Sequence, residues 1–588
     1  MCKPILITAV ILFSIQRAFA ADPTAISLVR DGASQYSIVI SAQASPSEKR
    51  GAEEIRTHVK LMSGASLPVV TDAEALPKFA VLVGRSRYTD ELGVKADEAA
   101  LGADGFVLKT VGDRLVIIGS RVRGTMYGCT EVLEKLGVRW LTPKVTITPK
   151  KATITLAAMD ERQVPAFEYR EPYFTEAFNR DWAARMRFNG NSENLDESTG
   201  GKIKYHPFVH SFDGLIPRAL YATHPEYFPL IQGKRKDGYV QRCLSNPEVL
   251  KLTIEKVRQW MKERPDATIY SVSQNDCYDP CGCDQCKAIE AKYGGQHSGL
   301  YLWFVNQVAE AIEKEHPDKL IDTLAYQFTE APPTGIVPRK NVRVRLCPIS
   351  VCEAHPYEKC SQKATVAFVN NLSAWAKITD TLYIWHYNTN FGNYLMPFPD
   401  FEEFPADTRL YQRSGVKGIF FEGAYGPGGG GAEAELRSYV MGKVLWDPSR
   451  DSDALVNEWM EGVYGPAKEP MRRWFDLLHE KARDPNKYFF IYDSPRVHYM
   501  SADVIAEGDR LFDEAEKAAS GNAVASEYIA KARLGIRYVK LMQKPTDGPE
   551  LTSFLADVRK FGIGQLREGQ STDAWEREYR ARLPKPKP

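Results

Sequence analysis

The chain has 588 residues, 44% hydrophobic and 26% charged, with a formal net charge of +1. Near-neutral charge without a long Lys/Arg run excludes the basic face on which nucleic acid or an anionic membrane would dock. Past the N-terminus, no stretch reaches the roughly 18 consecutive apolar residues of a membrane-spanning helix.

Residues 1–20 have the layout of a secretory signal peptide. Lys3 is the basic start, 5–15 the apolar run, and Ala18-Phe19-Ala20 a small-x-small cleavage site. This predicts export to a periplasm or the extracellular space after cleavage near Ala20. Residues 21–160 then read as a small α/β domain. YSIVIS at 36–41 predicts a strand. The spacing of Ala52, Ile55, Val59 and Met62 predicts a helix over 47–63, stopped by Gly64. Two compact buried strands (80–84 and 114–119) and a helix over 125–136 follow. No catalytic cluster stands out in this stretch.

From 161 to 434, eight apolar β-rich runs alternate with helical patterns. The runs are 167–174, 185–189, 207–212, 268–274, 321–328, 342–348, 381–387 and 416–422. Between them, Asn246-Pro247 opens a helix with Leu250, Ile254, Val257 and Met261 as its buried stripe. The alternation predicts a central (β/α)8 TIM-like barrel, with a doubly wound open sheet as the alternative. Residues 435–588 read as a C-terminal helical domain, with amphipathic stretches at 454–463, 470–482, 502–519 and 525–542.

In a parallel barrel the chemistry sits at the C-terminal ends of the strands. Asp276 follows the buried run SVSQ, and Glu422 follows GIFF. Two carboxyl groups so placed suit glycosidic hydrolysis, one protonating the leaving oxygen and the other acting as base or nucleophile. Asp276 is the expected general acid and Glu422 the base or nucleophile. Arg170, His210, Asn275, Tyr326, Glu330, Trp385 and His386 are the expected sugar-binding residues. The competing readings are a turn-capping role for Asp276 and a structural Glu422–Arg170 pair. No cofactor is required by this chemistry.

Cys277, Cys281, Cys283 and Cys286 form a C-x3-C-x-C-x2-C run. It could chelate a structural metal such as zinc, whereas an oxidising compartment favours disulfides. Cys243, Cys347, Cys352 and Cys360 are further candidates for the same network. Gly426–Gly431 is glycine-rich but lacks the GK[ST] ending of a phosphate loop, leaving a mobile lid or a tight backbone path.

The stretch GADGFVLKTVGDRLVIIGSRVRGTMYGCTEVLEKLGVRWLTP resembles the N-terminal domain of family 67 α-glucuronidases. Similar domains precede the barrels of family 20 and family 84 hexosaminidases. SQNDCYDPCGCDQCKAI resembles a bacterial family catalogued as domain of unknown function 4838, and ELRSYVMGKVLWDPSRDSDALVNEWMEGVYGPA is similar to the helical segment after the barrel in these relatives. In the hexosaminidases, two adjacent acids end the fourth strand. By resemblance Asp276 matches the general acid, while Asn275 departs from the acidic partner that orients an N-acetyl group. The α-glucuronidase resemblance implies inversion, with carboxylates on separate strands, as Asp276 and Glu422 are. The expectation is an exported glycoside hydrolase acting on a polysaccharide or glycan, with uronic acids and amino sugars as candidate units. The alternatives are a non-catalytic glycan-binding protein with a degenerate barrel and a metal-dependent carbohydrate-active enzyme.

Overall fold

A computed structural model describes residues 25–583, so the expected signal peptide lies outside the described residues. The helix Pro46–Ser63 opens on a capping box. The Glu48 N–H donates to the Ser45 hydroxyl, and the Ser45 N–H donates to the Glu48 carboxylate. Pro46 sits where no helical N–H is needed, and Gly64 closes the helix at φ +81°. This helix and Gly124–Lys135 pack on one face of a six-stranded mixed sheet. Ile38, Ile40, Val81, Val83, Leu115 and Ile117 point to that face. Val39, Leu82, Val116 and Ile118 point to the other, against Tyr88 and Leu101. The period-two alternation of the strands thus serves two cores.

The middle region holds six parallel strands. They are β1 (Tyr169–Tyr173), β2 (Ile269–Ser271), β3 (Leu320–Tyr326), β4 (Val342–Cys347), β5 (Leu382–Tyr387) and β6 (Gly418–Glu422). Their order is β1-β6-β5-β4-β3-β2, and every neighbouring pair is parallel. The result is a curled half-barrel sheet. The helices α1 (Pro247–Glu263), α2 (Asp284–Lys292), α3 (His297–Glu313), α4 (Lys363–Ala376) and α5 (Glu403–Arg413) alternate with these strands. Such coverage explains why strands like LYIWHY are buried throughout.

Two of the eight expected strands do not form. Residues 185–189 finish the helix Arg180–Met186, which Asn179 caps and Arg187 ends at φ +64°. Arg185 pairs with Glu54, and Arg187 with Glu131 and Glu134, so this segment is held by charges of the first region. Residues 207–212 turn into the short helix Phe212–Leu215. Single backbone bonds bridge the gap between β1 and β2. The Asn189 N–H donates to the Arg170 carbonyl, Ile203 to Asn189, and His206 to Ile269.

Past Glu433 the chain is mainly helical, with helices at Ala434–Trp446, Ser452–Tyr464, Lys468–Ala482, Ala502–Ala518 and Ala523–Gln543, near the expected limits. One feature departs from this. The hairpin Gln565–Arg567/Gln570–Ser571 leaves the helices and returns to the half-barrel, where the Glu568 N–H donates to the Phe391 carbonyl. The glycine-rich loop packs beneath the same segment. A Cβ on Gly428, which has φ +84°, would lie 1.7 Å from the Gly562 carbonyl oxygen, so the loop is a tight backbone path. Among the described residues no helix is long and apolar enough to cross a membrane.

Candidate active site

The C-terminal ends of β3, β4, β5 and β6 open into a cleft of about 670 Å3, including its mouth. Asp276, His210, Tyr326, Trp385 and Glu422, all expected from the sequence, line it together. Glu422 is the last residue of β6 and is half-buried. The Trp385 indole N–H donates to its Oε2 at 2.8 Å. Burial pushes the Glu422 carboxyl up to about 8. Trp385 pulls the other way, and the charges of Glu568 and Asp276 add to the rise. Its proton is therefore held through neutral pH.

Asp276 lines the same cleft and is exposed, and its Oδ1 accepts from the Tyr326 hydroxyl at 3.2 Å. The loop that carries it is tightly anchored just behind. The Asn275 amide donates to Asp213 Oδ1 at 2.6 Å and to the Val240 carbonyl at 2.9 Å. Gln241 accepts from the Asn275 N–H and donates to the carbonyls of Asn275 and Cys277. Asn275 thus positions the loop from a fully buried place and is not among the cleft-lining residues. His210 sits at φ +53°, and its Nδ1 lies 2.8 Å from the Gln274 carbonyl oxygen. A carbonyl only accepts, so Nδ1 carries a proton toward it, and in the neutral tautomer Nε2 is the ring's acceptor.

Arg170 and His386 lie elsewhere, for one shared reason. Successive strand residues face opposite sides. On β5, Trp385 and Tyr387 face the cleft while His386 faces the helices, bonding the Tyr411 hydroxyl at 2.7 Å beside Glu403 of α5. Burial drops the His386 ring to about 4. On β1, Arg170 turns out toward Asp104 of the first region at 3.1 Å, where Arg123 also binds that carboxylate at 2.5 Å. The Glu422–Arg170 pair weighed from the sequence is not formed. Glu330 lies behind β3, accepting from Asn371 of α4 at 2.9 Å.

Several cleft residues were missed by the sequence reading. Tyr387 was available by counting two from Trp385. Phe391 follows β5, and Tyr492 and Glu568 come from the C-terminal region. Glu568 is held by the Tyr425 hydroxyl at 2.8 Å. No local pattern marks it, because only the return of the hairpin brings it to the cleft. Beneath the floor, Arg345 of β4 lies 3.6 Å from Asp322 of β3, and its guanidinium is ringed by Tyr169, Tyr205, Phe208, Trp385 and Phe420.

All nine cysteines among the described residues are free. The disulfides expected around Cys277, Cys281, Cys283 and Cys286 are not formed. The last three converge with Cys243 in one buried group, too widely spaced for an S–S bond, while Cys277 stands apart beside Gln241.

A family model described as "Domain of unknown function (DUF4838)" matches residues 140–476, and one described as "Glycosyl hydrolase family 67 N-terminus" matches 29–131. No curated protein matches the chain. Among solved structures, the fold is similar to that of a family GH115 4-O-methyl-α-glucuronidase with specificity for decorated arabinogalactans. That likeness has 14% identity and a TM-score of 0.56, covering 92% of this chain and 76% of the other. It is also similar to a GH89 enzyme of Clostridium perfringens, solved with its substrate GlcNAc-α-1,4-galactose. Here identity is 13% and the TM-score 0.51, covering 89% of this chain and 64% of the other. These likenesses establish a glycoside hydrolase type of fold.

Proposed function

From the premise that the chain belongs to the DUF4838 family, we propose that it is an exported glycoside hydrolase whose active site is the cleft between Asp276 and Glu422. The half-barrel with its bridging segments is read as a distorted eight-fold barrel, with the first region and the C-terminal helices as flanking domains. The observation that carries the reading is the contrast between the two carboxyl groups. Glu422 is desolvated and held by Trp385, so it keeps its proton near neutral pH. Asp276 is exposed and receives a hydrogen bond from Tyr326. A desolvated carboxyl group that keeps its proton, facing the same cleft as an exposed one, divides the acid and base roles. Strand-end position alone points to Asp276 as the acid, and the burial of Glu422 supports placing the proton on that group instead.

In this mechanism Glu422 protonates the departing glycosidic oxygen, while Asp276 either takes a proton from the water that attacks the anomeric carbon or attacks that carbon itself, the glycosyl ester then being released by water. The developing oxocarbenium charge is stabilised by Asp276 and Glu568. Trp385 keeps the Glu422 carboxyl in place and, once the proton has left, stabilises the carboxylate formed. Tyr326, Tyr387, Phe391 and Tyr492 offer apolar ring faces to a pyranose, and His210 Nε2 is placed to accept from a sugar hydroxyl. The test is a panel of aryl glycosides and of plant and host glycans, assayed for sugar release with the native chain, Glu422→Gln and Asp276→Asn. Turnover on one or more members, lost in both variants, supports the reading. Turnover unchanged by either substitution removes that residue from its role.

A further inference from the structure

We propose that Cys243, Cys281, Cys283 and Cys286 form a structural zinc site that fixes the loop bearing Asp276. The four sulfur atoms lie within 4.8 Å of one another, and all four residues are buried. A tetrahedral zinc with Zn–S bonds of about 2.3 Å sets its sulfur atoms about 3.8 Å apart. Cys243 Sγ lies 3.7 Å from Cys283 Sγ and 3.9 Å from Cys286 Sγ. That is the edge of such a tetrahedron and nearly twice a disulfide bond of about 2.05 Å.

The surroundings suit a cluster carrying negative charge. The Leu230 N–H donates to Cys281 Sγ at 3.3 Å, and the Arg235 guanidinium approaches the same sulfur at 3.6 Å. Ser245 Oγ lies 3.2 Å from Cys286 Sγ and 3.6 Å from Cys283 Sγ, so its hydroxyl can donate to a thiolate. Donors aimed at the ligating atoms are the outer shell that a thiolate metal site needs. An all-sulfur tetrahedral donor set selects zinc over harder cations. Cys281 and Cys283 sit on the turn before α2, where the Gly282 N–H donates to the Leu230 carbonyl, and Cys286 is in the first turn of α2. Cys243 arrives from a distant segment that already holds Asn275 through Gln241 and Val240. One ion would therefore staple both sides of the Asp276 loop together. The site stands whether or not the cleft hydrolyses sugars.

Elemental analysis of the full chain, purified without added metal under mild reduction, is expected to give one zinc per chain. Cobalt(II) substituted for it should show the intense visible bands of a tetrahedral tetrathiolate. Cys286→Ser should lose the zinc, and Cys277→Ser should keep it. If the Cys286 variant fails to fold, the metal content and cobalt spectrum of the native chain still decide the matter. Zinc-free protein, iron in place of zinc, or recovery of these four cysteines as two disulfides on peptide mapping would overturn the proposal.

Discussion

Glu422→Gln isolates the consequence of burying a carboxyl group at the end of β6. In the fold this group ionises near 8, against an ordinary value of 4.5, mainly because burial disfavours its charge. A raised carboxyl contributes stability that is fully present below its unfolded value and is lost as pH rises through the folded one. Each pH unit in that window is worth about 1.4 kcal/mol, so the whole loss is on the order of 5 kcal/mol, an upper figure for a group that is only half-buried. Glutamine stays neutral and can still accept the Trp385 N–H. The variant should therefore match the native chain near about pH 4, exceed it by about 3 kcal/mol near neutrality, and level off at about 5 kcal/mol above pH 8. Urea midpoints across this range, at constant denaturant slope, measure the gap. A gap that does not change with pH would refute the burial argument and with it the assignment of the proton to Glu422.

Other perturbations act on the same group or test the corrected placements. Glu568→Gln and Asp276→Asn each remove a negative charge that raises Glu422, so the alkaline limb near pH 8 should move down, further for Glu568. For Asp276→Asn, whose turnover should be lost, this is read by direct titration of Glu422. Trp385→Phe deletes the donor that favours the Glu422 carboxylate, and direct titration of Glu422 should place its ionisation above 8. Arg170→Met leaves the buried Asp104 carboxylate with Arg123 as its one ion-pair partner beside the Asn189 amide, which should cost about 3 kcal/mol of stability and leave kcat/KM of the folded protein nearly unchanged. A large change in KM without destabilisation would instead return Arg170 to the cleft.

Much of this arrangement was legible in the sequence where a local rule decided it. The helix that Gly64 stops, and the buried strands that carry Tyr326 and Glu422, depend on neighbours a few residues away. The failures have equally plain causes. Arg170 and His386 were assigned to the mouth because they lie near strand ends, but a period of two turns them outward. Residues 185–189 and 207–212 have strand-like composition. Ion pairs to Glu54, Glu131 and Glu134 and a turn at His210 prevail there over β propensity. Glu568 reaches the cleft through a long-range contact that no spacing encodes, whereas Cys243, a candidate for the cysteine network from the sequence, does join it. In the cysteine run, spacing suggested four partners, and the backbone path exchanges Cys277 for Cys243.

The central claim is that Glu422 delivers a proton to a departing sugar oxygen, and leaving-group dependence tests it most directly. On any sugar that the native chain cleaves, kcat/KM of Glu422→Gln would be compared for two aryl glycosides. One has a phenol that must be protonated to leave, and the other an activated dinitrophenol that need not be. The account predicts a loss of about 10²- to 10⁴-fold on the first and a far smaller loss on the second. Equal losses on both would contradict it.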